Sequence, residues 1–191
     1  MSAGKTMTEK KSISEKKPQI EESAEYVLPP GERPGVIEVI VRGVYVRDGR
    51  ILLCKSRNSP LTYLPGGHVE FREKATHALA REVLEEMGRK AKVGRFLGFA
   101  ENTFVQKGEW HAEVFSVFEM EVAGLSPADM PESAESWVEF LWWPLDKLDR
   151  SRLEPAALRR CLRDWLEPGA QVADAIATTR GGWLDVAPEH D

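Results

Sequence analysis

A layered domain of strands and helices, either α/β around a mixed sheet or α+β, is what the sequence predicts. Three observations carry that expectation. Stretches rich in β-branched or alternating apolar residues recur between positions 36 and 143, two helical periodicities lie far apart at 72–88 and 155–165, and no regular strand–helix repeat joins them. With 191 residues, 42% of them hydrophobic, the chain can build one ordinary core and carry tails.

The elements follow in order. "VLPPGERPG" (Val27 to Gly35) is dense in proline and glycine and reads as a linker into the folded part, so 1–34 is expected to be a flexible arm and 35–167 the domain. "VIEVIVRGVYVRDGRILLCKSR" then places strands at 36–47 and 51–57 around the Asp48-Gly49 turn. "LTYLPGGHVEF" is a Pro-Gly-Gly loop with short extended flanks, and "REKATHALAREVLEEMG" is helical, with Gly88 as its C-cap. "KVGRFLGFAENTFV" and "HAEVFSVFEMEV" alternate and should pair as a hairpin through Lys107-Gly108. "GLSPADMPESAES" is loop, "WVEFLWW" is a short strand stopped by Pro144, "PLDKL" opens a helical turn, and Pro155 to Trp165 makes the second helix. Trp137, Trp142 and Trp143 are read as packing residues, and 168–191 as a C-terminal tail.

Charge and cysteines narrow the function classes. A net charge of -5 gives no global attraction to a nucleic acid polymer or an anionic membrane, so a polyanionic substrate has to be met by local Arg and Lys or by a bound cation. Met1 to Lys17 lacks the apolar run of a secretory signal, and no stretch of roughly 18 apolar residues suits a membrane span. Cys54 and Cys161 match neither a zinc spacing nor a disulfide framework, which fits free thiols in a cytoplasmic protein.

The chemistry concentrates in "AREVLEEMG". On a helix, Glu82, Glu85 and Glu86 fall within about 100° of one another, next to an arc of Leu79, Ala80, Val83, Leu84 and Met87 expected to pack. Ala75 and Ala78 are expected to leave room above the acidic side. Three carboxylates near a helix C-terminus repel each other and oppose the backbone dipole. A solvated acidic face is the plain reading, and a divalent cation such as Mg²⁺ held on oxygen ligands is the functional one.

The wider spacing favours the cation. From Gly67, five residues lead to Glu73 and seven more to Arg81-Glu82, followed by Val83, Glu85-Glu86 and Gly88. This pattern resembles the Nudix box of the Nudix hydrolases at its fixed positions through Gly88, and departs at Arg89, where an aliphatic residue is usual. The "WVEFLWWPLDKL" segment is also similar to the family's strand exit.

The resemblance implies an α/β/α sandwich around a mixed β-sheet and a Mg²⁺- or Mn²⁺-dependent pyrophosphohydrolase that cleaves a nucleoside diphosphate linked to X. ADP-ribose, a nucleotide sugar or a nucleoside triphosphate fits that substrate class. The alternative is a non-catalytic Nudix-fold nucleotide-binding regulator. Carried onto this chain, Glu82, Glu85, Glu86 and a carbonyl of the Gly66-Gly67 turn, that of Gly67, are the expected metal ligands. Glu82 or Glu86 is the expected base, with Glu113 the candidate outside the box. Arg81 is expected to brace the loop with Glu73 or to contact substrate, and His111 and Asn102, near Phe104, Tyr63 and Trp110, to contact substrate. His111 as an ordinary structural donor and the aromatics as core remain the plain alternatives. A small-molecule nucleotide is the expected partner, and a homodimer is allowed through the arm or the 36–47 strand.

Overall fold

The computed structural model describes residues 35–106, 109–167 and 169–170. The predicted arm 1–34, the Lys107-Gly108 turn and nearly all of the predicted tail lie outside the described residues.

Among the described residues, six strands form two three-stranded sheets. β1 (Val36–Val44) pairs in parallel with β5 (Glu109–Val122), which pairs antiparallel with β4 (Ala91–Gln106). β2 (Val46–Arg47) and β6 (Val138–Pro144) flank β3 (Arg50–Ser56) in the second, antiparallel sheet. The expected strand at 36–47 is thus divided at Tyr45, where the chain passes from one sheet to the other, and the Asp48-Gly49 turn then joins β2 to β3 within the second.

Period-two alternation sends neighbouring side chains to opposite layers. Ile40, Val44, Ile51 and Leu53 join Phe115, Val117, Leu158, Leu162 and Trp165 in one cluster, against α2 (Leu158–Leu166) and a 3-10 helix at Leu145–Arg150. Val41, Tyr45, Leu52 and Cys54 join Ala78, Leu79, Val83 and Met87 of α1 (Ala75–Met87) in the other. A helix on each side of a mixed sheet and an antiparallel one is the α/β arrangement the sequence implied.

α1 ends as expected on Gly88, left-handed at φ 64°, whose N–H bonds the Leu84 carbonyl. It begins three residues later than the pattern suggested, since Arg72 holds a positive φ of 72° and Lys74 is still extended. Ala78 is fully buried, so it packs the helix onto the core and opens no space beside the glutamates. Leu84, expected to pack, is 48% exposed, and Trp137 is 59% exposed, because neither lies under a facing element. Trp142 is buried and Trp143 half-buried against the core, as expected. Arg89 uses its guanidinium to donate to the carbonyls of Ala123 and Gly124 (3.4 and 3.1 Å), which fastens the helix exit to the end of β5 without an aliphatic contact.

Candidate active site

The Pro-Gly-Gly loop is held by both sheets, and this is what brings it to α1. Tyr63 exchanges backbone bonds with Cys54 on β3, while Gly43, Val41 and Val39 on β1 pair with Pro65, Gly67 and Val69. Gly66 has φ 127°, and a Cβ there would lie 2.2 Å from the Val41 carbonyl. On Gly67 a Cβ would lie 2.5 to 2.7 Å from the carboxylate atoms of Glu82. Glycine at both positions is therefore what lets the loop press onto the acidic helix face.

The three box glutamates differ in environment. Glu85 is exposed; Glu82 is mostly covered; Glu86 is 8% exposed. Glu86 Oε2 is buried with no hydrogen-bond partner. Burial above all, helped by the charges of Glu82 and Glu135 and opposed by Arg42 and the Gly66 backbone, pushes its carboxyl up to about 7.

Arg81 has five N–H donors and all five are used. Nε and Nη2 grip Glu73 (3.1 and 2.9 Å), Nη2 also reaches the His68 carbonyl (3.1 Å), and Nη1 donates to Glu82 (2.9 Å) and Glu85 (3.0 Å). That geometry favours the bracing role over contact with substrate. Glu73, in turn, is held below the usual carboxylate range by Arg81.

Among the described residues no group of three or more His, Cys, Asp or Glu is gathered around one point as the side chains stand. Arg81 draws Glu82 and Glu85 toward itself, and a cation would have to compete for them. The donor set nonetheless fits a hard divalent ion: carboxylate oxygens, a glycine-turn carbonyl, and one buried carboxylate oxygen with nothing to satisfy it. The Gly67 carbonyl accepts from the Val41 N–H (2.9 Å), and the Gly66 carbonyl from Arg42 Nη1 (2.6 Å); each retains a second lone pair.

Beside this cluster, one face of the β1–β5–β4 sheet carries polar groups. Asn102 and Glu113 are paired across β4 and β5, with Asn102 Nδ2 donating to Glu113 Oε2 (3.1 Å). Burial raises Glu113, and its bond from Asn102 and the charge of Arg42 oppose that. His111 stacks on Phe104 (centroids 5.1 Å apart, 9° between planes), and its Nδ1 meets Glu38 Oε2 at 3.3 Å. His68 Nε2 meets the other oxygen of Glu38 at 2.7 Å.

Sequence reasoning missed Arg42, Glu38, His68 and Glu135. Arg42 donates to the carbonyls of Leu64 and Gly66, lies 5.9 Å over the Phe115 ring, and acts electrostatically on both Glu86 and Glu113. Two charged residues at one parity of an apolar strand, Glu38 and Arg42, were the available signal. Glu135 gave none: it sits in a loop that returns to α1, where Ala134 N–H and Ser133 Oγ both donate to the Glu86 carbonyl (2.7 and 3.3 Å). Cavity size is a poor guide here, since an opening of about 820 Å³ lies at the far ends of the strands, by Arg47, Lys92 and Glu121, away from all these carboxylates.

Comparisons with known proteins agree with this picture. A family model of the NUDIX domain matches residues 37–165. The ADP-ribose pyrophosphatase of Methanocaldococcus jannaschii is 43% identical over 63 residues, 31% of this chain and 37% of that protein. A MutT-like protein of Streptomyces ambofaciens is 39% identical over 71 residues, 37% of this chain and 46% of that one. The chain thus spans less than half the length of these relatives. The structure of the E. coli ORF135 protein superposes with a TM-score of 0.53 at 22% identity, covering 71% of this chain and 96% of that one. The MutT protein from Methanosarcina mazei Go1 does so with 0.53 at 24%, covering 70% and 96%. These two likenesses are of fold. With the domain model matched over more than half of its residues and the box carboxylates set against the Gly66-Gly67 turn, the chain belongs to the Nudix family.

Proposed function

We propose that the chain is a divalent-metal-dependent pyrophosphohydrolase acting on a nucleoside diphosphate linked to X, with Mg²⁺ or Mn²⁺ as the metal and ADP-ribose, a nucleotide sugar or a nucleoside triphosphate as the substrate. The observation that carries this reading is Glu86 Oε2, buried and unpartnered beside two further carboxylates. An apolar or hydrogen-bonding side chain would satisfy that place better unless a cation comes to it.

Glu82, Glu85 and Glu86 would hold the metal together with a carbonyl of the Gly66-Gly67 turn. When bound, the ion supplies charge neutralisation at the diphosphate and a lowered pKa for attacking water. The protein's own residues do the rest. Arg81 and Glu73 fix the loop against α1 so that the ligand oxygens keep their spacing. Arg42 sets a fixed positive charge between Glu86 and Glu113, suited to a phosphate oxygen. Proton removal from the water falls to Glu82 or Glu86 when they are not both saturated as ligands, or to Glu113, which burial lifts toward the working pH. Asn102, His111 and Phe104 stand on the open sheet face where the nucleoside would lie. The cytoplasm is proposed as the compartment, consistent with Cys54 and Cys161 being free thiols.

The test is a panel of nucleoside triphosphates, dinucleoside polyphosphates and nucleotide sugars assayed with Mg²⁺ and with Mn²⁺. Metal-dependent release of a nucleoside monophosphate is expected from at least one class, and EDTA should abolish it. Stabilisation by a nucleotide without any turnover would overturn the reading in favour of a binding protein.

A further inference from the structure

Glu38 holds two imidazoles at once. Its Oε1 meets His68 Nε2 at 2.7 Å and its Oε2 meets His111 Nδ1 at 3.3 Å. The bond to His68 above all holds this carboxyl below the usual carboxylate range, so it is ionised and can only accept. Each ring nitrogen facing it therefore carries the hydrogen. In neutral His111 the proton sits on Nδ1 and Nε2 is left with a lone pair, the reverse of the tautomer a free histidine prefers.

That lone pair is open. His111 lies flat on Phe104 and is mostly covered, yet its Nε2 has no partner among the described residues and, unlike Glu86 Oε2, is not sealed from solvent. The groups around it are of the same kind. Cross-strand register puts Val36, His111 and Phe104 in one row of this sheet face and Glu38, Glu113 and Asn102 in the next. Asn102 donates to Glu113 Oε2, which leaves Glu113 Oε1 and Asn102 Oδ1 free to accept, against one remaining N–H of Asn102. Arg42 stands on the same side of β1, two rows further along, where Glu86 acts on it. A phosphate is drawn to Arg42 and repelled by Glu38 and Glu113, so this end of the face suits a neutral group that brings its own N–H or O–H.

Taking the substrate to be a nucleotide, we propose that Glu38 is a positioning residue that keeps His111 Nε2 as a hydrogen-bond acceptor for a donor group of the nucleoside. A ribose hydroxyl and a base amino group both supply that chemistry. The diphosphate then points toward Arg42 and the box glutamates.

Nitrogen-15 NMR of the ligand-free full chain at pH 8 tests the tautomer first. The chain has four histidines, and the signals that vanish in His111→Gln belong to this ring. The parent protein should show Nδ1 protonated and Nε2 bare, and Glu38→Leu should move the proton to Nε2. Recognition is read by calorimetry with Mg²⁺ and the uncleavable α,β-methylene analogues of ADP and GDP. Glu38→Leu should weaken the better-bound analogue about tenfold while Mn²⁺ affinity stays as in the parent, whereas a merely structural Glu38, acting through His68 on the adjoining Gly67, would lower both. The 2′- and 3′-deoxy forms remove the hydroxyls, and the inosine and purine riboside forms remove the amino groups. One of these deletions should cost the parent about tenfold and cost Glu38→Leu nothing further. A protonated Nε2 in the parent protein would overturn the proposal, as would a Glu38→Leu variant with parental nucleotide affinity. Analogues that bind but are indifferent to every deletion sink the role of Glu38 alone. Failure of all of them to bind removes the nucleotide reading, and this role with it.

Discussion

A methyl group on Gly67 would stand 2.5 Å from the Glu82 carboxyl carbon, closer than any real contact allows, so either the loop or the helix would have to withdraw. Gly67→Ala should therefore leave the fold in place but weaken Mn²⁺ binding by about 10- to 100-fold, as measured by titration calorimetry, in line with the loss of a supporting contact. An unchanged affinity would mean that the close approach has no bearing on the metal. Glu86→Gln tests the neighbouring residue more sharply. It keeps the size of the side chain while removing the charge, so turnover should fall by more than ~100-fold in a steady-state assay, with KM for the nucleotide little altered. Equal activity would remove Glu86 from the chemistry. Glu113→Gln separates the roles: a base loses kcat and keeps Mn²⁺ affinity, while a structural carboxylate on β5 loses neither.

At the scale of elements, Arg81 is the tie between α1 and the loop that follows Gly67. Replacing it with lysine keeps the charge but removes the planar fork that binds both oxygens of Glu73 while a third nitrogen serves Glu82 and Glu85. Arg81→Lys should lower metal affinity ~10-fold or more, and hydrogen exchange should show faster opening of residues 68–73, with the rest of α1 unaffected. A loop that exchanges as in the parent protein would show that the pairing is incidental. This helix was also the most legible part of the sequence. Its period, its glycine C-cap and the spacing of Glu82, Glu85 and Glu86 are local facts, and local facts survive folding. The hairpin of β4 and β5 was legible for the same reason, through alternation. What the alternation could not say is which element lies opposite each face, and so Leu84 and Trp137 were expected to pack and Ala78 to stand clear. Arg42 and Glu135 were hidden more deeply, because both reach Glu86 only through long-range pairing: β1 with the Gly66-Gly67 turn, and a loop 47 residues beyond Glu86 returning to its carbonyl.

For the whole molecule, the raised Glu86 carboxyl makes stability depend on pH in an unusual direction. In the unfolded chain this group ionises near its ordinary value of 4.5, and in the folded, metal-free protein near 7. Between those values the folded state holds the extra proton, so stability falls as pH rises through the window. The contribution is complete below pH 4.5 and gone above about 7, on the order of 3 kcal/mol in total. Glu73 acts the other way, since its lowered pKa adds stability above the unfolded value and loses it in acid, so the two must be separated by substitution. In EDTA, the thermal midpoint of the parent protein should drop between pH 5 and 8 relative to Glu86→Gln, which has no proton to lose, by roughly 6 to 12 °C. Millimolar Mg²⁺ should close most of that gap at pH 8, because a cation that binds only the folded, ionised carboxylate stabilises it by mass action. It should do nothing for Glu86→Gln. Parallel pH curves for the two proteins in EDTA would show that burial does not hold the proton on Glu86. A magnesium effect of equal size in both would place the ion somewhere other than this carboxylate.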